Sequence, residues 1–194
     1  MVSVGSDLLA VLDQLAEILD RLSLRYVVGG SLASGAWGEP RSSHDADLLI
    51  ELPRERVQDL HAALERTFYA DESEMLAAVS EKRAFNVIHL GLYHKVDLFV
   101  AGAGALDVAQ FEGAVARNLG DGSNRTYPVT SAEVIVLRKL VGESSDRQWR
   151  DVQAVLRTQG RRLDLDRMNP LARSEGLSNL LQRAIDEAWG SGSS

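Results

Sequence analysis

The sequence contains no cysteine, which excludes disulfides and thiolate chemistry. It has four histidines, and none of them has the His-x-x-x-His spacing of a zinc site. No apolar run approaches the roughly 18 residues that a membrane-spanning helix needs, and the first residues lack the basic region of a signal peptide. These absences predict a cytoplasmic protein that does not enter a membrane.

Positive charge is also scarce. The formal net charge of −7 argues against a broad surface for duplex nucleic acid. It still leaves room for a local basic groove that holds one phosphate chain. The hydrophobic content of 45% and the charged content of 25% are ordinary for a globular protein, and 194 residues suffice for one core with a helical appendage.

Composition and periodicity predict an α/β or α+β protein with a helical end. Apolar residues recur at helical spacing over residues 7–22, 54–67, 131–141 and 177–189, and further helices are predicted over residues 71–82, 106–116 and 146–158. Short β-rich runs predict strands at residues 27–28, 47–50, 84–90, 94–100 and 125–129. Residues 120–124 predict a turn, and Asn169-Pro170 is expected to interrupt any helix there. We therefore predict a core over residues 1–130, a helical part over 131–189 and a flexible tail over 190–194.

A glycine pair follows the first strand. Val27-Val28 is short and β-branched, so the strand should stop at Gly29-Gly30, and Ser31 is a plausible N-cap for a short helix over residues 32–37. Glycines let the backbone approach a ligand closely, and the free N–H groups of a first helical turn suit a phosphate. The stretch predicts a place where a phosphate group binds.

Two aspartates open the next apolar run. Asp45 and Asp47 are two residues apart, so in a strand they share a face, with side-chain origins roughly 6.5–7 Å apart. Like charges on one face repel unless a cation lies between them, and Mg²⁺ prefers carboxylate oxygens. The pair therefore indicates a metal site that handles phosphate, although a lone Asp-x-Asp is also compatible with an ordinary polar strand start.

A third aspartate lies inside a later apolar run. Asp97 is flanked by apolar residues, and a charge there needs a partner or a cation. Lys95 is two positions away on the same face of the strand, so an ion pair with Lys95 and a role in metal binding are both open.

Together these segments resemble the signature of the nucleotidyltransferase superfamily, which includes polymerase-beta-like enzymes, aminoglycoside nucleotidyltransferases and AbiEii-type toxins. The resemblance rests on Gly29–Ser31, followed after about a dozen residues by Arg41–Asp47. The segments 85–89 and 95–99 are similar to those of the small bacterial branch of that family. The resemblance implies a mixed β-sheet flanked by helices, with the helical C-terminal part closing over a nucleotide.

The resemblance also implies roles for individual residues. Asp45, Asp47 and Asp97 would be the catalytic carboxylates and the ligands of two Mg²⁺ ions, with Mn²⁺ as the alternative metal. Residues that would bind the nucleoside triphosphate follow from the same resemblance: Gly29, Gly30, Ser31, Arg41, Ser43, Lys139, Arg150 and Asp151. Arg41 is equally compatible with a surface position, and His44, next to Asp45, is expected to have no role. The short connection between residues 141 and 145 leaves the reach of Lys139 open.

The function implied is transfer of a nucleoside monophosphate from a nucleoside triphosphate to an acceptor hydroxyl of a small molecule, an RNA or a protein. A toxin-like role is included. The alternative is a catalytically silent module of the same fold that binds a protein partner, as in a toxin–antitoxin pair. Three intact carboxylates argue against that alternative, because a binding module has no reason to keep charges that repel one another.

Overall fold

The structure, a computed structural model, describes residues 5–40, 43, 45–120, 125–142 and 145–190. The predicted turn at 120–124 and the tail at 190–194 therefore fall almost entirely outside the described residues. In the described part of the chain, seven strands form one sheet. The strands are β1 (Tyr26–Val28), β2 (Ala46–Ile50), β3 (Phe68–Tyr69), β4 (Ala84–His89), β5 (Lys95–Val100), β6 (Val115–Arg117) and β7 (Tyr127–Val129).

Helices surround this sheet. They are α1 (Ser6–Arg21), α2 (Gly30–Trp37), α3 (Val57–Leu64), α4 (Glu72–Glu81), α5 (Ala105–Glu112), α6 (Ala132–Leu140), α7 (Asp146–Gln159), α8 (Leu165–Ser174) and α9 (Ser178–Gly190). Several begin at a side-chain cap that satisfies a free N–H group of the first turn. Asp71 caps α4, Ser131 caps α6, and Ser145 forms a capping box with Gln148 at α7. No helix in the described ranges has the length and apolar character to cross a membrane.

The sheet is mixed, as predicted, with strand order β3-β4-β5-β2-β1-β7-β6. Strand β2 pairs antiparallel with β1 and parallel with β5, and β1 pairs parallel with β7. The parallel register places Asp47 beside Asp97 and Leu49 beside Phe99. The sheet and its helices make an α+β fold, and the register brings two distant carboxylates together.

One face of β2 and β5 carries the core. The residues on this face are all buried and aliphatic, and they are Ala46, Leu48, Ile50, Val96, Leu98 and Val100. Helix α1 belongs to the same core through a stripe that includes Leu8, Leu12, Leu15 and Leu19. Because side chains alternate across a strand, this burial forces Asp47, Asp97 and their same-face neighbours onto the other side.

Three sequence predictions about local structure are wrong. The helix predicted over residues 106–116 ends at Glu112 and is capped by Gly113, and residues 115–117 instead form β6, which pairs antiparallel with β7. The Asn169-Pro170 pair does not interrupt a helix, because Pro170 lies inside α8. That helix continues because Met168 and Ala172 on either side of the proline are buried in the core.

The third correction concerns the start of α2. This helix begins at Gly30, and its N-cap is Gly29. Ser31 is therefore not the predicted cap; it lies in the first turn. The turn is closed by the N–H of Ala33, which donates to the Gly29 carbonyl at 3.0 Å.

Candidate active site

The predicted carboxylates gather at one end of β2 and β5. Asp47 and Asp97 lie side by side in the parallel register, and Asp45 is exposed just before β2 begins. The charges of both Asp97 and Asp45 act on Asp47. The structure thus brings together three aspartates, although Asp97 lies about fifty residues after Asp45 and Asp47 in the sequence.

Asp47 is a half-buried carboxylate. Burial is the main cause that raises its pKa above the ordinary value, and the negative charges of Asp97 and Asp45 raise it further. The positive charge of Lys139 and a hydrogen bond from the Ser31 N–H act in the opposite direction. The ionised form of Asp47 is therefore held at an electrostatic cost that a bound cation would relieve.

Gly30 is packed directly against this carboxylate. A Cβ atom at Gly30 would lie 1.7 Å from Asp47 Oδ2. The residue also has φ +53°, a backbone conformation that residues other than glycine rarely adopt. The Gly29 N–H donates to the Asp47 carbonyl at 2.8 Å. The glycine pair therefore locks the start of α2 onto β2.

Two serines connect the same turn to Asp45. The hydroxyls of Ser31 and Ser43 are 2.6 Å apart, and the Ser43 hydroxyl donates to the Asp45 carbonyl at 2.8 Å. Both serines thus lie next to the segment that carries Asp45 and Asp47, and their contact with a phosphate stays a prediction. Arg41 and His44, which were also considered, lie outside the described residues.

Asp97 has a cationic partner on its own strand. Lys95 Nζ donates to Asp97 Oδ2 at 2.7 Å, and the side chains are 42% and 22% exposed. The hydrogen bond with Asp97 is the largest cause that raises the pKa of Lys95, and the charges of Asp45 and Asp47 contribute. The ion pair that the sequence left open is therefore formed, within the field of all three carboxylates.

Lys139 approaches from the helical part of the chain. Its ammonium donates to Asp151 Oδ2 at 3.0 Å, and the two side chains are only 13% and 9% exposed. The Ser34 hydroxyl on α2 donates to the same carboxylate oxygen at 3.3 Å. Asp151 therefore connects α6, α7 and α2, and it holds Lys139 near Asp47. Arg150, its neighbour in sequence, is exposed.

Sequence reasoning missed a second polar group on this side. The half-buried Arg138 guanidinium forms an ion pair with Asp107 of α5, and its partial burial lowers the pKa of Arg138 from its ordinary value. Arg138, Lys139 and Gln110 line a cleft of about 450 Å³ that reaches from Gly29 and Gly30 across the sheet face to Phe99. No local pattern marks Arg138 or Asp107, because they are 31 residues apart and meet only through packing.

The carboxylates of Asp45, Asp47 and Asp97 are the kind of ligand that a hard divalent cation binds. Carboxylate oxygens are the ligands that Mg²⁺ prefers, and the cost of ionised Asp47 is the kind of electrostatic deficit that such a cation offsets. Within the described ranges, however, no three histidine, aspartate or glutamate side chains are arranged closely enough to hold a metal ion together. In this arrangement Lys95 donates to one of the Asp97 oxygens.

Comparison with solved structures identifies the fold. A nucleotidyltransferase-like protein from Paracoccidioides brasiliensis superposes with a TM-score of 0.59, covering 94% of this chain and 91% of that one at 19% identity. The chain has the fold of a nucleotidyltransferase. The antibiotic-resistance factor ANT(2'')-Ia superposes in its solution structure with a TM-score of 0.54 at 16% identity, over 92% of this chain and 96% of that one. Its complex with adenylyl-2''-tobramycin gives 0.55 at 16% identity, over 86% and 95%.

The likeness is one of structure only. No family model matches the sequence, and no curated protein matches it significantly. At identities of 16–19%, the solved structures establish the fold and leave the activity to be argued from the site.

Proposed function

We propose that the chain is a metal-dependent nucleotidyltransferase that moves a nucleoside monophosphate from a nucleoside triphosphate to an acceptor hydroxyl. The observation that carries the proposal is the parallel register of β2 and β5, which places Asp47 beside Asp97 at the Gly29-Gly30 turn. A fold alone does not imply an activity. The additional reason to infer an activity is that carboxylates that repel each other lie beside a glycine turn at a helix N-terminus.

Asp45, Asp47 and Asp97 would hold the divalent cations, Mg²⁺ or Mn²⁺, in two sites. When bound, these ions supply Lewis acidity and offset the negative charge of the triphosphate. The chain's own part is to keep the carboxylates ionised and oriented. Asp47 is oriented by the Ser31 N–H and by its contact with Gly30, and Asp97 is oriented by Lys95.

The phosphate-binding residues are proposed on both sides of the carboxylates. On one side, the hydroxyls of Ser31 and Ser43 and the backbone of Gly29 and Gly30 border Asp47. On the other side lies Lys139, whose ammonium would stabilise the charge that develops on the leaving pyrophosphate. Lys139 is held in place by buried Asp151, so its position is set before the nucleotide arrives.

Arg41 and Arg150 stay predictions as nucleotide contacts. Arg41 lies outside the described residues, and Arg150 faces solvent on α7. The division into a core and a closing helical part also stays a prediction. The basis of this prediction is that the helical part contacts α2, the helix that begins at Gly30. The contact is the hydrogen bond from Ser34 of α2 to Asp151 of α7.

The acceptor hydroxyl would approach Asp97, which accepts its proton or orients it during attack on the α-phosphorus. An aminoglycoside is the first acceptor to test, because ANT(2'')-Ia was solved with adenylyl-2''-tobramycin. RNA and protein acceptors are the next classes, and the negative net charge disfavours RNA mildly. A cytoplasmic location and a toxin-like role stay predictions.

The test is calorimetric titration of the purified chain with each of the four nucleoside triphosphates, in Mg²⁺ and in chelator. We expect binding that requires the metal and that Asp47→Asn abolishes. An acceptor screen with nucleotide labelled at the α-phosphate then follows. Absence of binding to any triphosphate would contradict the proposal and favour the silent module that binds a protein partner.

A further inference from the structure

The negative charges of Asp45, Asp47 and Asp97 have different partners. Asp47 accepts a hydrogen bond from the Ser31 N–H, and Asp45 is exposed to water. Asp97 alone of the three makes a direct hydrogen bond to a cationic side chain in the described structure, at 2.7 Å from Lys95 Nζ. Asp97, a predicted metal ligand, therefore already has the Lys95 ammonium bound to one of its carboxylate oxygens.

The strand geometry makes this pairing persistent. Lys95 and Asp97 are two residues apart on β5, so their side chains leave the same face of the sheet. The strand is central, paired with β2 on one side and with β4 on the other. Its backbone cannot turn Lys95 away from Asp97, and only the flexible lysine side chain can break the contact.

We propose that Lys95 is a built-in counter-ion of the metal site, which occupies Asp97 until a divalent cation takes its place. The inference rests on the proposed function, in that Asp97 is treated as a metal ligand. It goes further by assigning Lys95 a role in regulating when the site is completed. Lys95 is a positioning residue, because it acts through Asp97.

A binding order follows from this arrangement. Asp45 and Asp47 can bind a cation without breaking an ion pair, whereas Asp97 must first release Lys95. The Lys95 side chain is 42% exposed and long enough to move into solvent, so its release does not require a backbone change. The Asp97 ligand is therefore the last to engage.

The test is metal binding in the absence of nucleotide, with Mn²⁺ as the probe and electron paramagnetic resonance as the measure of free ion. Lys95→Met should tighten Mn²⁺ binding about ten-fold, because the competing ammonium and its repulsion of the ion are both removed. Lys95→Arg keeps the charge and should stay within about two-fold of the wild type.

Lys82→Met is the matched control, since Lys82 is an exposed lysine on the cleft that Asp47 lines and its loss changes the net charge equally. It should leave Mn²⁺ affinity nearly unchanged. If Lys82→Met tightens binding as much as Lys95→Met, the effect is one of general charge and the proposal is wrong. Unchanged affinity in Lys95→Met would overturn it as well.

Thermal unfolding supplies a second readout. In chelator, Lys95→Met should melt below the wild type, because Asp97 then faces Asp47 without a counter-charge. In saturating Mg²⁺ this difference should disappear. A deficit that persists in Mg²⁺ would mean that Lys95 is only a structural residue and would contradict the proposal.

Failure of this inference can be told apart from failure of the proposed function. A wild type that binds Mn²⁺ but no nucleoside triphosphate would refute the nucleotidyltransferase proposal, while the Lys95 comparison still stands. A wild type that binds triphosphate with Mg²⁺, with Lys95→Met indistinguishable in metal affinity, would refute only the counter-ion role.

Discussion

The two faces of strands β2 and β5 alternate along the same eleven residues and have opposite properties. The face toward α1 is aliphatic, and each of its six residues is at most 4% exposed. The other face carries Asp47, Lys95, Asp97 and a 44% exposed Phe99. Hydrophobic burial on the first face fixes the register of the strands, and the register decides which charges meet on the second. The first face should therefore control stability, and the second should control function.

The largest effect is expected from Asp47→Asn, which keeps the shape of the side chain but removes its charge. We expect nucleotidyl transfer to fall on the order of 10³-fold, with an unchanged circular dichroism spectrum. The matched control is Asp59→Asn on the exposed surface of α3, which should be active. Transfer that survives Asp47→Asn at the wild-type rate would remove the carboxylate site from the proposal.

Leu98→Ala tests the buried face one residue away from Asp97. Leu98 is fully buried, so the cavity should lower the free energy of unfolding by about 3 kcal/mol, as measured by urea denaturation. Triphosphate affinity in the folded protein should not change. Asp97→Asn should give the reverse result, with lost transfer and a small change in stability. A similar loss of stability in both variants would break the distinction between the faces.

Lys139→Ala should change both the stability of the protein and its affinity for triphosphate. The lysine is 13% exposed and paired with buried Asp151, so its removal should cost about 3 kcal/mol of stability and should also weaken triphosphate binding. The double variant Lys139→Met with Asp151→Asn removes both charges of the ion pair. It should regain most of the stability without regaining the affinity. If affinity returns with stability, Lys139 has only a structural role.

Gly30→Ala should lower stability less than Leu98→Ala or Lys139→Ala, by about 1–2 kcal/mol, because an alanine is strained at φ +53°. The added Cβ would also displace the Asp47 carboxylate. Mn²⁺ affinity should therefore fall more than in Gly104→Ala, where a Cβ meets open space. Equal Mn²⁺ affinity in the two alanine variants would mean that the Gly29-Gly30 turn does not contribute to metal binding.

Local patterns predicted most elements because burial follows periodicity. The stripe of α1, the hairpin of β4 and β5, and the Ser131 cap of α6 are all visible in neighbouring residues. The failures lie where distant contacts overrule local preference. Residues 115–117 become a strand because β7 offers an edge to pair with, and the Arg117 guanidinium there lies 3.7 Å from the centroid of the Trp37 ring.

The candidate site divides in the same way. The Asp-x-Asp spacing and the glycine pair indicated the carboxylates and the turn, and the resemblance added Asp97, Lys139 and Asp151. Nothing in the sequence indicated that Ser34 would reach Asp151 across 117 residues, or that Arg138 would pair with Asp107. Those contacts depend on how helices pack on the sheet, which no local pattern encodes.

By itself, then, the sequence determined which residues could carry charge to a strand face and which must be buried, because alternation and apolar periodicity are local properties. Tertiary structure decided that Asp47 stands beside Asp97, that Gly30 touches the carboxylate, and that Lys139 is anchored by Asp151. The physical reason is that sheet register and helix packing are set by the collective burial of the core, and this burial places side chains far apart in sequence within the reach of one ligand.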